Sequence, residues 1–175
     1  MSSILKVDTI QTTAGAAPAT KDLGFSAGAV VQTQISRYSG GSINFGASGS
    51  YATSNRSVTI TPKFSNSIIL IRYSATAYAE SGAQAYFTFY RNSTNLYNQS
   101  GYSTNATHQG LCQLNSGNST VFFPGCTLTF MDSDHNSTSA LTYTMYGKNS
   151  AGSGNVYWPP GSVDAATFTA MEIAQ

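Results

Sequence analysis

Side chains able to do acid–base or metal chemistry are scarce in this 175-residue sequence. There are two histidines, His108 and His135, and seven carboxylates, with Asp8, Asp22, Asp164 and Glu172 near the ends. The one local concentration is Asp132-Ser133-Asp134-His135-Asn136. A histidine beside two aspartates could hold a metal or move a proton. Oxygen ligands alternate at Asp132, Asp134 and Asn136, but the glycine and the distal glutamate of a calcium loop are missing. Asp and Asn favour turn tips, so the segment reads as a solvated turn. No Gly-x-Ser-x-Gly marks a nucleophile elbow. The central part also lacks the paired acids on strands that glycoside hydrolysis needs. These residues predict a non-enzymatic protein, with no catalytic residue, no metal and no cofactor.

Two cysteines, Cys112 and Cys126, lie fourteen positions apart. They could bridge neighbouring strands in an oxidising environment, or sit as two small core residues; two isolated thiols make no zinc set. Six Asn-x-Ser/Thr sequons, at Asn55, Asn92, Asn98, Asn105, Asn118 and Asn136, read as turn and surface residues in a chain rich in these types.

The aromatic residues offer binding chemistry instead. Tyr97, Tyr102, Tyr157 and Trp158 fall at predicted loops or strand ends among Asn and Gln. Exposed Tyr and Trp can stack on sugar rings while amides bond the hydroxyls, which makes these four a candidate glycan-binding set. The alternative is that the same rings cap the core or seal a subunit interface.

Composition narrows the partners. Charged residues are 9% of the chain, against about 25% in an ordinary domain. The hydrophobic share is 41%, so a folded core is expected under a surface of neutral polar groups. Net charge is +1 and the basic residues are scattered singly, which argues against nucleic acid as a partner. No apolar run approaches the roughly 20 residues of a membrane span, and Met1 to Asp8 lacks a signal-peptide pattern. The expectation is a chain made in a cytoplasm, without membrane insertion.

The elements that must position any site are strands. From Gly28 onward the period is two. The clearest case is Ser67 to Ala79, with Ile69, Ile71, Tyr73, Ala75, Ala77 and Ala79 on one face and Ile68, Leu70, Arg72, Ser74, Thr76 and Tyr78 on the other. Further strands are predicted at 29–38, 57–61, 85–91, 110–114, 119–123, 126–131, 141–147 and 166–174, with no sustained helical period. That number and spacing point to an all-β, antiparallel two-sheet jelly-roll sandwich with a short extended N-terminal arm. Residues 1–27 form the arm and 28–175 the head. In the closing strand both faces are largely apolar, which predicts burial against other copies of the chain. The expected interface is Phe168, Ala170, Glu172 and Ala174.

The segment Ser3-Ile4-Leu5-Lys6-Val7-Asp8-Thr9-Ile10-Gln11 resembles the start of fibre-like virion proteins of marine bacteriophages, cyanophages among them. Leu141-Thr142-Tyr143-Thr144, the run Thr167 to Ile173 and the hairpin Phe87 to Asn92 look like the later strands of such proteins. The resemblance implies a virion protein with an N-terminal attachment segment and a trimeric jelly-roll head, similar to the tumour-necrosis-factor and C1q architecture. Attachment to other virion proteins would fall to Ile4, Leu5, Val7 and Ile10. This chain has almost no shaft, which fits a short tail fibre, spike or head fibre that contacts a host-surface glycan. Two other functions stay open: a capsid decoration protein, and a free lectin-like module.

Overall fold

The computed structural model describes residues 25–46, 48–98, 110–150, 153–159, 161 and 165–175. Their regular structure is eleven strands and a single short 3-10 turn, Leu96–Asn98. The strands are β1 (Val30–Ser39), β2 (Asn44–Phe45), β3 (Ser48–Ile60), β4 (Ile68–Ala79), β5 (Gln84–Arg91), β6 (Thr94–Asn95), β7 (Cys112–Asn115), β8 (Val121–Asp132), β9 (Leu141–Asn149), β10 (Val156–Tyr157) and β11 (Ala165–Ile173).

All pairings are antiparallel. In the first sheet β4 has β8 on one side and β11, then β1, on the other; β10 and β2 continue that second side beyond the end of β11. The second sheet runs β3-β9-β5, with β7 and β6 sharing the far edge of β5. The strands of four residues or more are β1, β3, β4, β5, β7, β8, β9 and β11. Numbered one to eight in that sequence, they stand in the orders 1-8-3-6 and 2-7-4-5. This is the jelly-roll order, in which every step along these eight strands crosses from one sheet to the other except β5 to β7, which pair within the second sheet.

Alternation decides which side chains enter the core. On β4 the odd-numbered residues Ile69 to Ala79 are buried and the even ones face outward. The small Ala75, Ala77 and Ala79 leave room for large rings, and a chain of edge-on aromatic contacts fills it. Phe45 meets Phe87 at 5.3 Å, Phe87 meets Trp158 at 4.6 Å, and Tyr73 links Trp158 to Phe168 at 5.6 and 5.4 Å.

Two strand boundaries differ from the alternation pattern. The segments expected at 119–123 and 126–131 form one strand, β8, because the ladder skips a residue between Ala75 and Ala77. Gly125, at φ +69°, makes the bulge that Pro124 would otherwise turn into a break. β3 begins nine residues before the expected start at Ser57, through polar, glycine-containing sequence that carries no period-two signal.

Candidate functional site

The turn at residues 132–137 is pulled apart by the packing around it. Asp132 ends β8, is fully buried, and accepts both carboxylate bonds from Arg91 and a 2.8 Å bond from the Tyr143 hydroxyl. Asp134 is exposed. His135 is buried, and its Nε2 lies 2.8 Å from the Ser67 carbonyl, which can only accept, so Nε2 carries the hydrogen. Asp132 and His135 thus point to different partners, and among the described residues no group of three His, Cys, Asp or Glu converges on one point.

Ser67, His135 and Glu172 do come together, a trio that sequence spacing does not reveal. Ser67 Oγ is 3.4 Å from His135 Nε2 and donates to Glu172 Oε1 at 2.8 Å. In a nucleophilic site the histidine would take the hydroxyl proton. Here the carboxylate takes that hydrogen bond and the imidazole N–H faces a carbonyl. Glu172 also accepts the Lys63 and Phe64 backbone N–H groups and the Gln32 amide. Burial pushes its pKa up, but these bonds outweigh burial and hold it below the ordinary glutamate value. The cluster is a clasp that fastens the β3–β4 connection to β11.

The aromatic set expected to bind glycans is not one surface. Trp158 is fully buried, with its indole N–H donating to the Ala75 carbonyl at 3.3 Å. Its neighbours Val156 and Tyr157 form β10, and strand alternation drives the indole into the space that the β4 alanines leave. Tyr97 is 8% exposed. Tyr157 is half-buried on the first sheet, beside Tyr78 at 5.8 Å, with its hydroxyl 3.4 Å from Glu80 Oε1. Tyr102 lies outside the described residues, as do Ile4, Leu5, Val7 and Ile10.

The expected subunit interface is corrected as well. Phe168, Ala170, Glu172 and Ala174 all face the chain's own core or its clasp and are at most 2% exposed. The outward positions of β11 are Ala165, Thr167, Thr169, Met171 and Ile173.

The two outer faces differ chemically. All four exposed large hydrophobics among the described residues, Val30, Ile35, Phe122 and Met131, lie on the outer face of the first sheet, each 52–56% exposed. The register sets Met131 beside Leu70, Leu70 beside Met171, and Val30 beside Ile173. This aliphatic face surrounds a hollow lined by Arg72, Ser74, Thr167 and Thr169. The outward positions of its described strands include no Asp or Glu, and Glu80, directly after β4, reaches the Tyr157 hydroxyl at one end.

The outer face of the second sheet carries tyrosines. Tyr90 stacks on Tyr146 with ring centres 4.0 Å apart, and Tyr51 meets Tyr90 edge-on at 6.4 Å. Lys148 Nζ lies 5.0 Å from the Tyr51 ring and 5.8 Å from the Tyr86 ring. Burial, then the neighbouring phenols Tyr90, Tyr97 and Tyr86, push the Tyr51 pKa up, so its hydroxyl stays protonated at neutral pH. The signal for this face was present in β5, where Phe87 and Phe89 alternate with Tyr86 and Tyr90. The hydroxylated rings take the outside.

No family model matches the chain, and no curated protein matches it.

Proposed function

We propose that this chain is a bacteriophage virion structural protein. Residues 28–175 form a self-assembling head, and the arm holds it to the particle as a short tail fibre, spike or head fibre. The observation that carries the oligomeric part is the segregation of every exposed large hydrophobic of the described chain onto one sheet face. Monomeric surfaces rarely keep large contiguous apolar patches. The occupant proposed for this face is a second copy of the chain, and the count of three follows the resemblance to trimeric tumour-necrosis-factor and C1q-like heads. The virion assignment is supported by the segments that resemble phage fibre proteins and by the neutral polar composition.

The test is the solution mass of the full chain at micromolar concentration. A trimer of the 18.4 kDa chain is expected. The double variant Ile35→Lys/Met131→Lys is expected to be a folded monomer, with the emission of buried Trp158 as the check on folding. A wild-type monomer overturns the assembly. Labelling of intact particles with an antibody to the chain tests the location: signal at projecting fibres or spikes supports the reading, and signal across the capsid lattice replaces it with a decoration role.

A further inference from the structure

The tyrosine face of the second sheet has no aliphatic patch to bury and contains a cation without a carboxylate. On β3, β9 and β5 the described outward positions hold no Asp or Glu, and Lys148 makes no ion pair among the described residues. Arg56, the nearest other cation in sequence on β3, folds back over the Tyr38 ring and bonds the Gly40 and Gly41 carbonyls. Lys148 is therefore faced by the rings of half-buried Tyr51 and buried Tyr86 and, among the described residues, by no carboxylate.

We propose that this face is a binding site for an acidic oligosaccharide, with Tyr51, Tyr90 and Tyr146 contacting the sugar and Lys148 pairing with its carboxylate. This deepens the reading of the head as a part that contacts a host-surface glycan, and it rests on that reading.

Three features select this ligand. The stacked Tyr90–Tyr146 pair and the edge-on Tyr51 hold one another in place, so the rings lose little freedom when a ligand docks. Tyrosine presents an apolar ring for the C–H face of a sugar and a hydroxyl for its polar rim. Further hydrogen-bonding groups lie at the surface of the same sheet, where Thr59 and Thr142 share a 2.9 Å bond. The uncompensated Lys148 then selects an acidic sugar over a neutral one.

Isothermal titration calorimetry of the full chain with hexagalacturonate and with maltohexaose, a neutral hexasaccharide, tests this. The acidic probe is expected to bind at least about tenfold tighter than the neutral one. Lys148→Met should remove that preference, and Tyr90→Ala/Tyr146→Ala should abolish binding while Trp158 emission stays unchanged. Absence of binding by both probes, equal affinity for the two, or binding that survives the double tyrosine change overturns the proposal. A trimer that ignores both probes removes the sugar site and leaves the oligomeric head standing. A monomer that binds the acidic probe through these residues does the reverse.

Discussion

Arg91 and Asp132 join the two sheets through the interior: Arg91 Nη1 lies 2.7 and 2.8 Å from the two carboxylate oxygens of Asp132. Arg91 closes β5 and Asp132 closes β8, so the pair pins one end of the sandwich. Asp132 is fully buried and Arg91 is 15% exposed. The Tyr143 hydroxyl donates to the same carboxylate, and its pKa is raised by burial and by Asp132, so it remains a donor.

Removing one partner leaves a buried charge uncompensated, which costs about 3–5 kcal/mol. Arg91→Met is expected to lower the free energy of unfolding, obtained from the urea midpoint and slope, by an amount in that range. The double change Arg91→Met/Asp132→Leu should recover a large part of the loss. Urea denaturation of the single and double variants checks the coupling; additive effects would show that the pair is not a unit.

Glu172 ties stability to pH. Its folded pKa is depressed, so its contribution is present above the unfolded value of about 4.3 and is lost as pH falls through the folded pKa. Glu172→Gln is expected to destabilise the protein at pH 7. The gap to wild type should narrow steadily below about pH 4. Thermal unfolding of both proteins from pH 7 to pH 3 gives the comparison, and a constant gap would mean that the carboxylate charge contributes nothing.

Gly147 is required by two rings. A Cβ there would lie 2.8 Å from Phe45 Cδ1 and Cε1 and from Phe87 Cε1, all on buried core rings. Gly147→Ala is expected to cost about 1–3 kcal/mol through overpacking. Gly49→Ala on β3, where nothing lies within 4 Å of the added methyl, should be near neutral or slightly stabilising. The difference between the two variants in thermal midpoint is the measurement.

The all-β class, the jelly roll and the inward row of β4 were legible because alternation is a local signal and each strand reports its own two faces. Which apolar face meets the core is not local. In β11 both Phe168/Ala170 and Met171/Ile173 are apolar, and only pairing with β4 decides that Phe168 opposite Tyr73 points inward. Trp158 misled for a related reason: glycine- and proline-rich flanks look like a surface loop, yet the two residues of β10 are enough to commit the indole to the core. The Ser67–His135–Glu172 clasp joins parts of the chain 105 positions apart, and no spacing rule reaches that far.

The cysteines give the last prediction. Cys112 stands opposite Phe87 and Cys126 opposite Ala75, so both register with inward positions on strands at the β7–β8 side of the sandwich. Both are free and half-buried. Burial, and secondarily Cys126, pushes the Cys112 thiol up to about 11, while burial alone raises Cys126. At pH 8 an ordinary thiol with pKa near 8.5 is roughly one-quarter thiolate, whereas a thiol at 11 is about 0.1% thiolate. Iodoacetamide at pH 8 should therefore modify Cys126 before Cys112, with Cys112 slowed on the order of a hundredfold relative to the urea-unfolded chain. Mass spectrometry of timed digests would resolve the order. Faster labelling of Cys112 than Cys126 in the folded protein would mean that the β7 edge opens and leaves its thiol solvated.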